Sequence, residues 1–139
     1  MEKWRLDILR EEKGVDPNII SVPQKNIILS IFPELQYTNT EKWKIVESWM
    51  TDLNRIGLID NDLKFNFENF LRKQKILSTH HIYLSYNFFN EDNIDLLCFE
   101  DFCKYFIYFW YPLADNLTIV SEEYKWRIFI HHEGDIFIS

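Results

Sequence analysis

Residues 99–113 read FEDFCKYFIYFWYPL, and the way this stretch folds decides the architecture around it. From Tyr105 to Leu113 it carries no charge. A surface helix keeps a polar stripe, whereas a helix apolar all round lies inside a core. Pro112 stops the run, because proline lacks a donor and its ring clashes with the preceding turn. A membrane span needs roughly 20 apolar residues, about twice what is present. The expectation is an α+β fold: a mostly helical single domain over 1–139, with a central buried helix near 99–111 and a C-terminal antiparallel β-hairpin.

Working outward towards the N-terminus, residues 2–13 read as a helix with Trp4, Ile8 and Leu9 on one face and Gly14 as its stop. Ser21 is a candidate cap for a second helix, with Pro23 in its first turn and Ile27, Ile28 and Ile31 as its apolar face. A third helix has Thr38 and Glu41 at capping-box spacing, with Thr40 a rival cap. Trp43, Val46, Trp49, Met50, Leu53 and Ile56 follow at helical spacing, and Gly57 fits the left-handed stop.

Residues 62–73, DLKFNFENFLRK, and 94–105, IDLLCFEDFCKY, align at a spacing of 32. Each leads through Phe-Glu-Asx-Phe into a helix, which resembles the end of an EF-hand loop. On that pattern Leu58, Asp60 and Asp62 take the first ligand positions, Leu63 replaces the turn glycine and Asn69 the last glutamate. The second copy offers Asn90, Asp92 and Ile94, then Asp95 and Asp101. Calcium takes about six to eight oxygens, and neither loop supplies them, so no metal is expected. The bland reading is two loop-to-helix or strand-to-helix junctions. Between the copies, Ile82, Leu84 and Tyr86 alternate as in a strand, while Leu77, His81, Leu84 and Phe88 fit a helix. Both readings stand, with helix preferred.

The tail is β-like. Residues 117–120 form one strand candidate, and residues 124–131 alternate, with Trp126, Ile128 and Ile130 inward and Phe129 out of pattern on the wet side. Glu133-Gly134 makes a turn and residues 135–139 return.

The 139 residues carry 15 basic and 22 acidic side chains, a formal charge of −7. No Lys or Arg occurs from Ile76 to Cys103, where Glu91, Asp92, Asp95, Glu100 and Asp101 cluster. Like charge repels phosphate backbones, so a basic protein partner is expected in place of nucleic acid. The bland reading of the cluster is a solvated loop and a helix start, where acids suit the macrodipole. Cys98 and Cys103 stand five apart, next to or within the central helix; if both lie on it they point to different faces, which fits free thiols in a reducing cytoplasm. The first residues have no apolar signal-like core, and no membrane segment is expected. The scarcity of alanine (one) and glycine (three) beside abundant Ile, Phe, Asn and Lys matches AT-rich codons, from a low-GC genome or a mobile gene.

The chemistry-bearing motifs are absent. His80-His81 and His131-His132 are adjacent pairs, whereas zinc ligands stand about three to five apart or in CxxC pairs. No GxSxG, HExxH or glycine-rich phosphate loop is present. A non-enzymatic binding protein without cofactor is the expectation. NEDNID, CFEDF and SEEY in a small acidic domain resemble, in character, the immunity proteins of bacterial contact-dependent toxin systems. That resemblance implies capture of a basic toxin domain, often a nuclease, in the cytoplasm. The alternative is a regulatory or phage anti-defence adaptor, including a degenerate EF-hand-like module. The candidate partner-binding residues are Phe88, Phe89, Glu91, Asp92, Asp95, Glu100, Asp101, Glu122, Glu123 and Trp126.

Overall fold

The computed structural model describes residues 1–23, 53–86 and 93–139. Helix α1, Lys3–Lys13, closes on Gly14, which takes the left-handed conformation (φ 66°) and donates its N–H to Arg10 at 2.9 Å. Strands β1 (Ile20–Pro23) and β2 (Asn54–Leu58) follow, then helix α2 (Phe67–Lys73) and strands β3 (His81–Tyr86) and β4 (Asn93–Cys98). Two short helices, α3 (Phe99–Lys104) and α4 (Phe106–Phe109), lead to β5 (Leu117–Ser121), β6 (Arg127–Ile130) and β7 (Asp135–Ile138).

Among the described residues the strands make one antiparallel sheet of seven, in the order β1-β4-β3-β5-β6-β7-β2. The mostly helical expectation is therefore overturned. The C-terminal hairpin exists, but as β6 and β7 within this sheet. Residues 81–86 are a strand, and a central one, so alternation wins over the helical spacing. Register places Ile82 beside Leu97 and Ser121, and Leu84 beside Ile119. Those partners are remote in sequence, which is why local pattern left the choice open.

Strands β4 and β5 both lie antiparallel to β3, so they run parallel to each other and need a long crossover. Residues 99–116 are that crossover. They cover the face formed by Leu97, Ile82, Leu84, Leu117, Ile119, Ile128, Ile130 and Ile136, all buried. Phe102, Phe106, Phe109 and Trp110 are buried in the same cluster, so the stretch is central, but it is not one helix over 99–111. It breaks at Tyr105 and leaves helical geometry at Trp110 (φ −129°, ψ 126°). Extended backbone there lets the Trp110 indole N–H reach the Asp115 carbonyl at 3.0 Å and the Tyr111 N–H reach the Asp115 carboxylate at 2.8 Å.

The opposite face of the sheet also buries Ile94, Thr118, Val120, Phe129 and Phe137. Phe129 is thus no exposed exception, since both sides of β6 are covered. Phe67 starts α2 and Phe99 starts α3, so the spacing of 32 marks two helix starts. An EF-hand needs a helix before each loop. Strand β2 precedes the first loop, and β3 precedes the second, whose end is β4, so the EF-hand-like reading is overturned. Residues 20–23 are strand, so Ser21 does not cap a helix, and Gly57 lies in β2 instead of ending a third helix. The remainder of the second and third expected helices lies outside the described residues.

Helix α1 turns Arg5 and Leu9 inward, while Trp4 is 43% exposed. Arg5 makes two 2.6 Å hydrogen bonds to the two carboxylate oxygens of buried Asp115. Its guanidinium carbon lies 4.7, 4.5 and 5.0 Å from the rings of Trp4, Tyr86 and Tyr111. Truncating one member of a buried pair leaves a desolvated charge, so Asp115→Ala should destabilise by about 3–5 kcal/mol. Urea unfolding checks this, and a midpoint within error of wild type would show the pair to be dispensable.

Candidate functional site

Four of the residues singled out from sequence meet at one end of the sheet. His81, at the start of β3, pairs with Cys98 at the end of β4, and Ile82 pairs with Ser121 at the end of β5. Backbone bonds extend the junction: Phe99 N–H donates to His80 at 2.9 Å, and Glu122 N–H donates to His81 at 3.0 Å. Exposed Glu100 and half-buried Asp101 open α3 there, and exposed Glu122 and Glu123 open the β5–β6 turn. Register alone thus brings segments 22 residues apart in sequence to one end of the sheet.

The β5–β6 turn is fixed by Ser121. Its hydroxyl oxygen accepts from the Lys125 and Trp126 N–H groups at 2.8 and 3.2 Å, and its carbonyl accepts from Tyr124 N–H at 2.9 Å. Tyr124 adopts the left-handed conformation (φ 58°) and stacks on Tyr83, with ring centroids 5.9 Å apart and an 18° interplanar angle. Burial first, then hydrogen bonding with Tyr124 and the charge on Glu122, push the Tyr83 hydroxyl up to about 12. Glu122 contacts His81 Nδ1 at 3.2 Å, and Glu123 contacts Lys125 at 3.1 Å, both at exposed positions where such pairs hold weakly.

Trp126 is buried beneath this surface and supports it. Its indole N–H donates to the Leu77 carbonyl at 2.8 Å, and its ring meets Phe99 edge-on at 6.2 Å. Beside it opens a groove of about 430 Å³, floored by Leu71, Ile76, Leu77 and Phe99 and rimmed by Glu68, Arg72 and Lys75. Leu77 is 67% exposed. The Tyr83–Tyr124 stack had no signal in sequence, because strand pairing alone joins its segments, and the groove at 68–78 needs Phe99 to close it. Asp95 is elsewhere: it is buried on β4 and pairs with the Met1 amine at 2.5 Å. Phe88, Phe89, Glu91 and Asp92 lie outside the described residues.

Among the described residues, His131, Glu133 and Asp135 bring possible metal-ligand atoms within 4.8 Å of one another. Two of the three residues are already engaged. His131 Nδ1 accepts from the Glu133 N–H at 3.2 Å, and Asp135 pairs with Arg55 at 2.8 Å. The comparisons leave function to the geometry, since no family model, curated protein or solved structure matches the chain. No helix among the described residues is long and apolar enough to cross a membrane.

Burial and then the neighbouring His132 lower the His131 pKa below 6.5, against the pull of Glu133 and Asp135. Between the lowered native value and 6.5 the unfolded chain binds more protons, so His131 removes stability as pH falls through that window. His131→Asn should flatten the dependence of the urea midpoint on pH just below 6.5. An unchanged slope would show that His131 does not set it.

Proposed function

We propose that this chain is a binding protein that captures a basic protein domain through the acidic end of its sheet. It acts as an immunity protein towards a toxin domain in the cytoplasm. One observation carries the reading: strand register brings the segments that carry Glu100, Asp101, Glu122 and Glu123 to one end of the sheet, the end that also holds exposed Tyr124 and the groove at Leu77. Exposed carboxylates accelerate encounter with a cationic surface. An apolar groove with Leu77 and Phe99 then gives a partner side chain somewhere to bury, which sets the off-rate. Free Cys98 and Cys103 fit a reducing compartment. The resemblance in character to immunity proteins supports the same reading.

Co-expression with the product of the neighbouring upstream gene tests it, scored as rescue from toxicity. Combining Glu100→Lys, Glu122→Lys and Glu123→Lys should slow association with that partner about ten-fold or more at low salt, with the gap closing as salt rises. Surface substitutions of this kind leave the melting temperature nearly unchanged. An association rate equal to wild type at low salt would remove this end of the sheet from the interface.

A further inference from the structure

We infer that the stacked Tyr83 and Tyr124 rings, with Glu122 beside them, form a subsite for an arginine side chain of the basic partner. The inference rests on the binding reading above and adds which cation is recognised. A guanidinium is planar and weakly hydrated, so it can lie on an aromatic face while its N–H fork meets a carboxylate. A lysine ammonium is compact and strongly hydrated, and takes little beyond its charge to such a site. Tyr124 supplies the open face, being 49% exposed and held parallel to Tyr83. Glu122 and Glu123 precede it in the same turn.

The protein already binds one arginine in this manner. Arg5 lies 4.5 and 5.0 Å from the rings of Tyr86 and Tyr111, with a carboxylate on its fork at 2.6 Å. Two tyrosines and an acid recur together on the surface. The turn itself has no need of a tyrosine. Tyr124 sits at φ 58°, a conformation that glycine takes freely and L side chains rarely adopt. Strain of this kind collects at functional positions.

The test uses two peptides of equal charge, (Gly-Arg)5 and (Gly-Lys)5, titrated into the intact protein at low salt. Wild type should prefer the arginine peptide by about two- to five-fold. Tyr124→Gly removes the ring while relieving the backbone, so it should lose the preference with no fall in melting temperature. Tyr124→Phe should keep it. Combining Glu122→Lys with Glu123→Lys should weaken both peptides. Equal binding of the two peptides by wild type would overturn the arginine subsite but leave the acidic end as a cation surface. A preference that survives in Tyr124→Gly would also overturn it. Failure of both peptides to bind would remove the subsite and the acidic-end reading together.

Discussion

The buried pair between Arg5 and Asp115 is the constraint on which the rest of the structure hangs. It joins residues 110 apart in sequence, and it fixes two things at once. One is the docking of α1 on the crossover, where Arg5 points inward next to Leu9 and Trp4 covers the pair from outside. The other is the exit of the crossover into β5, because Asp115 also holds the Tyr111 N–H and the Trp110 indole. A buried ion pair is seldom worth more than an apolar replacement of the same shape. Its effect here is to specify one geometry: the carboxylate takes both terminal guanidinium nitrogens and a backbone donor only when helix and turn meet in one way.

That geometry shows why the aromatic stretch at 99–113 was half legible. Its lack of charge announces burial, and Phe102, Phe106, Phe109 and Trp110 are indeed in the core. It says nothing of shape. A helix over the whole stretch and a bent crossover both bury those rings, and the choice between them comes from Asp115, Pro112 and the parallel placement of β4 and β5. Residues 81–86 failed to declare themselves for a similar reason, since the partners that make them a strand are Leu97 and Ile119. Glycine misled in a more local way. Gly57 looked like a helix stop, but it lies in β2, where a Cβ would reach the Phe70 ring at 2.6 Å. A stop of that type occurs instead at Lys75 (φ 60°), where Ile76 N–H reaches Leu71 at 3.0 Å and Lys75 N–H reaches Arg72 at 3.1 Å. With three glycines in the chain, Lys75, Leu113 and Tyr124 all occupy left-handed positions, and no propensity rule would have placed turns there.

The candidate site divides along the same line. The acidic residues at 100–101 and 122–123 were visible as charge, and the segments carrying them are brought together by β3, which lies between β4 and β5 and pairs with both. Trp126 was visible as an aromatic beside acids, but its role is support, with its indole spent on Leu77. Asp95 shows the limit of reading charge from sequence. It lies on the helix-covered face beside Leu84 and is withdrawn from solvent, so it belongs to the fold more than to the surface.

Hydrogen exchange on the complex with a basic partner, captured by co-expression with the neighbouring upstream gene product, probes the central claim most directly. Protection gained on binding should concentrate in residues 77–83, 99–104 and 121–126, which the register places at one end of the sheet. Protection confined to α1 or to the β6–β7 turn at 131–135, with 121–126 unchanged, would contradict the account.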